Sequence, residues 1–204
     1  IPQGVTDWVL LQFRRAPAAP SLLTTSAFLR QDGWVVGEDG STNLVLNLPL
    51  TNTYHVVVKH RNHLAAMSAQ AVGFSDQALG YDFTTGPGKY FGGESACAEV
   101  SGYAGTFFAL RAGDVDGDGR VGAADEAVCL SMTEATASAY RRSDVTLDGS
   151  VTFQDDWTPV AAVAVSNSVS PVPTPGTALT GALWVKPSRA TLAPGGSLAL
   201  TCPA

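Results

Sequence analysis

The chain has 204 residues, of which 45 % are hydrophobic and 15 % are charged, and its formal net charge is −6. This length and composition predict one sizeable domain with a buried core plus one or two small units. The acidic balance and the lack of a basic stripe argue against a nucleic-acid partner. Because no run of about 18 apolar residues occurs, we also predict no membrane span.

Residues 1–112 have the pattern of short strands and turns, and we predict a β-sandwich domain over this range. In "VTDWVLLQFR" the residues at 9, 11 and 13 would face one way and those at 8 and 10 the other, as in a strand. Asp-Gly pairs at 32–33 and 39–40 predict turns. The runs "TYHVVVK" and "GTFFALRAGD" predict two later strands. Short strands at this spacing favour a mainly β, Ig-like sandwich.

The stretch "KHRNH" contains the most reactive side chains of this domain. His60 and His63 are three residues apart, so on a helix they would share a metal, but at a strand end we expect them on opposite faces. We therefore predict a polar strand end in which Arg61 and Asn62 bond backbone carbonyls. The sequence has neither a nucleophile elbow nor a phosphate-binding loop. We predict that the protein is not an enzyme; a hydrolase that uses the two histidines is the weaker alternative.

Residues 114–125, "DVDGDGRVGAAD", form what we call acidic loop 1. Carboxylates at alternating positions converge on a hard cation such as Ca²⁺ when the backbone turns sharply at a glycine, here Gly119. The residue after the glycine would contribute its carbonyl, and an acid at position 12 would complete the shell. The predicted ligands in acidic loop 1 are Asp114, Asp116, Asp118, Arg120 and Asp125.

Residues 144–155, "DVTLDGSVTFQD", form acidic loop 2 and repeat the pattern 30 positions later. The predicted ligands here are Asp144, Thr146, Asp148, Ser150 and Asp155. An acidic, glycine-rich surface turn would explain one such loop but not the shared register of two. We therefore predict two calcium ions, a helix after each loop, and pairing of the loops through the residues at position 8, Val121 and Val151.

Residues 113–160 resemble a dockerin type I module, in which two loop–helix calcium repeats use Asp as the twelfth ligand. Asp125 and Asp155 match that variant. The resemblance implies a small calcium-organised module over 113–165 and a cohesin partner. Dockerins place a hydroxyl pair just before position 12, but this chain has Ala123-Ala124 and Phe153-Gln154 there. The structural role of calcium therefore transfers more readily than the partner.

The stretches "DWVLLQFR", "FLRQDGWVV" and "VVVKHRNHLAAMS" resemble segments of secreted bacterial proteins that join a β-domain to a dockerin-like pair. Some such proteins are similar to protomers of pilus-like extracellular fibrils built by strand donation. The resemblance implies an extracellular, cell-surface location and a helical homopolymer of copies of this chain. Ile1 in place of Met fits a removed signal or pro-segment, or numbering that begins inside a longer precursor.

The C-terminal part contains a linker and an incomplete β-unit. Residues 166–180 are rich in Ser, Thr and Pro, so we predict an unpacked linker whose hydroxyls could carry O-linked glycans. Residues 181–204 resemble the opening strands of a bacterial Ig-like domain, and two strands alone are marginally stable. Of the three cysteines, Cys97 and Cys129 are predicted either to form a disulfide or to be buried thiols, and Cys202 is unassigned.

The N-terminal strand is the predicted donor in such an assembly. It follows a Gly-containing end and is apolar on both faces, and head-to-tail donation propagates into a filament. The alternative is an ordinary internal strand of the chain's own sandwich. The predicted donor residues are Val5, Trp8, Val9, Leu10, Leu11 and Phe13. We thus expect a structural subunit of a calcium-stabilised fibre, or alternatively an anchoring or adhesin module with a different protein as partner.

Overall fold

A computed structural model describes residues 3–40, 44–49, 51–74, 80–102, 105–131, 141–155 and 168–175. The predicted β-unit at 181–204, with Cys202, lies outside these residues. So do residues 156–165, most of the predicted second helix, and the two ends of the predicted linker. Among the described residues, no helix has both the length and the apolar character needed to cross a membrane.

The main sheet is antiparallel and contains six strands. They are β1 (Val5–Arg14), β2 (Ser21–Arg30), β3 (Val35–Val36), β4 (Thr53–Lys59), β5 (Ala66–Met67) and β6 (Val72–Gly73). Their order is β3-β2-β1-β4-β5, and β6 pairs with the start of β4. The predicted turn at Asp32-Gly33 joins β2 to β3, and Gly33 takes the left-handed conformation there, with φ of 83°. The mainly β class is thereby confirmed.

The alternation in β1 determines where the core lies. Val9, Leu11 and Phe13 are at most 5 % exposed and pack with Tyr54 and Val58 of β4. Their neighbours Trp8 and Leu10 lie on the opposite face, as the sequence predicts. Phe13 also meets Phe74 edge to face, with ring centroids 5.7 Å apart.

Strand β1 is the centre of the sheet and not an edge. It pairs with β2 along its length and with β4 from Leu10 to Arg14. In the single chain, the predicted donor residues Val5, Trp8, Val9, Leu10, Leu11 and Phe13 therefore form an internal strand, which is the alternative to donation. Domain swapping exchanges an identical element between copies, so the same two ladders could also form between chains.

A second, two-stranded sheet consists of β7 (Ala98–Gly102) and β8 (Gly105–Ala109). Two 3₁₀ turns, Pro87–Lys89 and Gly93–Ala96, lead into it. A small cluster of Ala66, Tyr90, Ala96 and Cys97 lies beneath these turns. The α-helix α1 spans Ala123–Leu130, and its first turn contains Asp125, the last residue of acidic loop 1; a helix at the end of this loop is as predicted.

The predicted disulfide between Cys97 and Cys129 is wrong. Cys97 belongs to the cluster with Tyr90, whereas Cys129 lies on α1 and packs with Val115 and Val145. Both side chains are buried, at 3 % and 0 % exposed, and each fills space in a different apolar cluster. The buried-thiol alternative describes both residues.

The predicted linker is not unpacked where the structure describes it. Residues 168–175, which we call the strap, lie across acidic loop 1 and the main sheet. Val121 N donates to Ser168 O at 2.8 Å, and Arg14 Nη1 donates to Pro173 O at 2.7 Å. Low apolar content was a poor guide because backbone hydrogen bonds, more than buried side chains, hold this segment.

Candidate metal centre

Three carboxylates converge in acidic loop 1. One oxygen each of Asp114, Asp116 and Asp118 lies within 4.8 Å of the others. Asp114 is only 6 % exposed, and the other two face solvent. No ion pair joins these three groups to a cationic side chain among the described residues. A cluster of this kind is electrostatically unfavourable unless protons or a cation neutralise it.

The loop backbone binds the same carboxylates and shapes the cluster. Gly119 N donates to Asp114 Oδ1 at 3.3 Å, and Arg120 N donates to Asp118 Oδ1 at 2.7 Å. Gly117 and Gly119 have φ of 80° and 85°, in the left-handed region that glycine adopts readily. The sharp bend predicted at Gly119 is therefore present, together with a second one at Gly117.

Asp125 is buried and holds the two ends of acidic loop 1 together. Its Oδ1 accepts hydrogen bonds from Val115 N at 2.7 Å and Asp116 N at 3.1 Å, and its Oδ2 accepts one from Gly122 N at 2.8 Å. It is not one of the three converging acids. Since a carboxylate has about four acceptor sites, one remains for a cation.

Acidic loop 2 repeats these contacts. Asp155 Oδ1 accepts from Val145 N and Thr146 N, its Oδ2 accepts from Thr152 N, and Asp144 Oδ2 accepts from Gly149 N. Ser150 N donates to Asp148 Oδ1 at 2.8 Å, as Arg120 N does to Asp118. Leu147 has φ of 62° where loop 1 has Gly117. A bulky residue in that conformation indicates that the loop imposes its shape on the chain.

The two loops differ in their oxygen atoms. Thr146 takes the place of Asp116, and its hydroxyl donates to Asp155 Oδ1 at 3.1 Å. Arg61 Nη2 lies 3.6 Å from Asp144 Oδ2, so the guanidinium of Arg61 already neutralises part of the negative charge of loop 2. Loop 2 therefore has fewer carboxylates and less uncompensated negative charge than loop 1.

Electrostatics support this difference between the loops. Burial, reinforced by the neighbouring acids, raises the pKa of Asp114 to about 6. Burial also raises the pKa of Asp144, although Arg61 opposes the rise. Burial would likewise raise the pKa of Asp155, but hydrogen bonds from Thr146, Thr152 and Val145 outweigh it and lower that pKa.

A buried polar network attaches acidic loop 2 to the β-domain. Asn62, which is fully buried, donates from Nδ2 to Arg142 O at 2.9 Å and to Asp144 O at 2.6 Å. Arg61 Nε donates to Asp7 Oδ2 of β1 at 2.7 Å. The predicted carbonyl contacts of Asn62 are thus present, whereas Arg61 binds a carboxylate. Asp7 was not predicted, because a single acid in an apolar strand has no periodic signal.

The two histidines of "KHRNH" do not point apart as predicted. His60 Nδ1 and His63 Nδ1 lie 3.0 Å apart, because the chain leaves the strand after β4 and turns between them. His60 Nε2 is also 3.0 Å from Asp7 Oδ2. Burial, together with His60 and Arg61, lowers the pKa of His63 to about 3. Within the described residues, the groups that could hold a metal are the three acids of loop 1, and this pair is not among them.

The predicted pairing of the two loops through Val121 and Val151, at position 8 of each, is not seen among the described residues. Val121 is fully buried, but its backbone pairs with the strap at Ser168. No described segment forms the corresponding ladder with Val151.

Comparisons of the chain with protein-family models, with curated proteins and with solved structures find no match.

Proposed function

We propose that the protein is a non-enzymatic, calcium-stabilised structural protein of the cell exterior. The observation that supports this most is the duplicated loop architecture, in which the same backbone contacts recur 30 residues apart around two sets of oxygen donors. One accidental acidic turn would not repeat in this detail. The second loop also retains its shape despite a leucine at a left-handed position.

The donor chemistry favours calcium over other metals. Every predicted ligand in both loops is an oxygen, which suits hard cations and not zinc or copper. A flexible ring of carboxylates and carbonyls suits the six to eight ligands of Ca²⁺ better than the strict octahedron of Mg²⁺. Loop 1, with Asp114, Asp116 and Asp118, would bind first and loop 2 second.

Calcium titration and thermal melting test this proposal. At 100 times the dissociation constant a ligand adds about 2.7 kcal/mol to stability, so we expect EDTA to lower the melting temperature by about 5–10 °C. Asp116→Asn should weaken binding at loop 1. The matched control is Glu99→Gln, which removes one charge from an exposed position on β7. Equal melting curves in calcium and EDTA would contradict a structural metal.

We further propose that copies of this chain assemble into a pilus-like extracellular fibre by β-strand exchange. Strand β1 pairs with β2 on one side and β4 on the other, and it could form the same two ladders with β2 and β4 of another copy. Val100 and Phe107 form an exposed apolar pair on one face of the β7–β8 ribbon, at 51 % and 44 % exposed, and another copy could cover this face.

Negative-stain electron microscopy of the purified protein, with calcium and with EDTA, tests assembly. Regular fibres that shorten or disperse in EDTA are expected. Dispersed particles at high protein concentration in calcium would refute the fibre while leaving the calcium proposal intact.

A second candidate is a dockerin-like anchoring or adhesin module. Phe153 lies two residues before the closing acid of loop 2, where dockerins place one of their hydroxyls, and its side chain is 72 % exposed and so accessible to a partner. This candidate predicts a monomer that binds a different protein. Phe153→Ser should abolish that binding without changing the melting temperature.

A further inference from the structure

The strap and acidic loop 1 form a short antiparallel bridge. Ser170 N donates to Gly119 O at 2.9 Å, and Val121 N donates to Ser168 O at 2.8 Å. Arg120 and Val169 are the residues that face each other between these two bonds. The strap therefore holds the backbone on both sides of position 7, the predicted carbonyl ligand.

The type of bridge determines which way Arg120 faces. Arg120 and Val169 form a non-hydrogen-bonded pair, and in such a pair the N–H and C=O of each residue point away from the partner strand. The contact of Arg120 N with Asp118 Oδ1 at 2.7 Å agrees with this, because that N–H faces the loop. The carbonyl of the same residue lies on the loop side as well, where a cation would need it.

The other end of the strap is attached to the β-domain. Ser170 Oγ donates to Ala65 O at 2.9 Å, and Arg14 Nη1 donates to Pro173 O at 2.7 Å. Pro171 lies so close to Gly92 that a Cβ on that glycine would be 2.7 Å from the proline ring. The strap thus connects acidic loop 1 to the main sheet.

We propose that the strap is a calcium-dependent latch: the ion in acidic loop 1 and the docking of residues 168–175 stabilise each other. This rests on the proposed function, because it requires loop 1 to bind calcium. An ion that pulls the Arg120 carbonyl inward presents Gly119 O and Val121 N in the right register for the strap. By linkage, a docked strap must raise calcium affinity by the same factor.

Hydrogen exchange with mass spectrometry tests the latch on the whole, unmodified chain. We expect a peptide covering 168–175 to exchange at least tenfold faster in EDTA than in calcium. Two matched variants, both measured in calcium, locate the effect. Asp118→Ala should release the strap, whereas Asp148→Ala, which removes the same contact from loop 2, should not. Equal strap exchange in calcium and EDTA, or equal release by both variants, would overturn the latch.

Calorimetric calcium titration tests the reverse direction. Ser170→Pro removes two strap contacts of this residue, the N–H that binds Gly119 O and the hydroxyl that binds Ala65 O. Thr174→Pro places the same residue at a strap position without a hydrogen bond among the described residues. We expect about five- to tenfold weaker binding at the tighter site for the first variant and no change for the second. If the unmodified protein binds no calcium, the proposed function fails; if it binds calcium but its strap exchange is unaffected, only the latch fails. The exchange measurement decides the matter even if Ser170→Pro does not fold.

Discussion

Replacing Asn62 with Ala should destabilise the whole protein, because Asn62 joins acidic loop 2 to the β-domain. The substitution removes two donated hydrogen bonds and leaves the carbonyls of Arg142 and Asp144 without that donor. It also removes the acceptor of a 2.8 Å contact from His63 Nδ1. Each lost bond costs about 1 kcal/mol, and a buried group left unsatisfied costs about 1–3 kcal/mol. The expected loss in the free energy of unfolding is therefore about 2–4 kcal/mol.

Denaturant unfolding in saturating calcium measures this loss, and thermal melting should show a decrease of roughly 5–15 °C. The control is Asn47→Ala, since Asn47 is exposed and should change stability by less than about 0.5 kcal/mol. The unfolding curve of the variant should remain a single transition if the two parts unfold together. A variant as stable as the control would show that the network between Asn62 and loop 2 contributes nothing to the fold.

Three further predictions concern the core, the buried histidine and the strap contact. Phe13→Ala should cost about 3–5 kcal/mol, measured by denaturant unfolding, because Phe13 is 2 % exposed in the main core. His63 has a pKa of about 3 in the folded protein and 6.5 when unfolded. The unfolded chain therefore binds more protons below pH 6.5, and stability should fall by about 2 kcal/mol between pH 7.5 and pH 5. Gly92→Ala should cost about 1–2 kcal/mol from its φ of 97° alone and should also speed exchange in the strap.

Each of these predictions has a defined failure. Val45→Ala is the control for Phe13→Ala and should be nearly neutral, because Val45 is 92 % exposed. If Phe13→Ala cost no more stability than Val45→Ala, the assigned core would be wrong. An imidazole of His63 that titrates near 6.5 by NMR would contradict its burial. Gly88 has an ordinary φ and open space where a Cβ would lie, so Gly88→Ala is the control for Gly92→Ala. If both variants lost the same stability, the loss would come from replacing a glycine and not from the contact with the strap.

Regular patterns made much of the fold predictable. The alternation through Phe13 predicted β1 and its buried face, and the register of Asp114 with Asp144 predicted two matching loops. Alternation alone does not make a strand: Leu44, Leu46 and Leu48 pack on the core, but none of the described residues pairs with them in a ladder. A period of two records which side chains are buried, but a strand also requires a neighbour with free backbone groups.

The contacts between distant segments could not be predicted in the same way. Asn62 and Asp7 are single polar residues whose partners lie far away in the chain, so no local spacing reveals them. The strap has no periodicity, and its contacts depend on Gly92 and on the buried guanidinium of Arg14. The pair His60 and His63 was misplaced because the strand ends at Lys59, before the alternation rule could apply to both.

The two acidic loops share their internal contacts but touch different parts of the molecule: loop 1 meets the strap, and loop 2 meets Asn62 and Arg61. The difference comes from where each loop lies in the chain, because the strap binds backbone atoms of Gly119 and Val121, and Asn62 binds the backbone carbonyl of Asp144. Acidic loop 1 thereby anchors the strap, whereas acidic loop 2 is anchored to the main sheet through Arg61 and Asp7. The residues that make these contacts are identical at the same positions of the other loop, so exchanging the two loop sequences would leave both attachments in place.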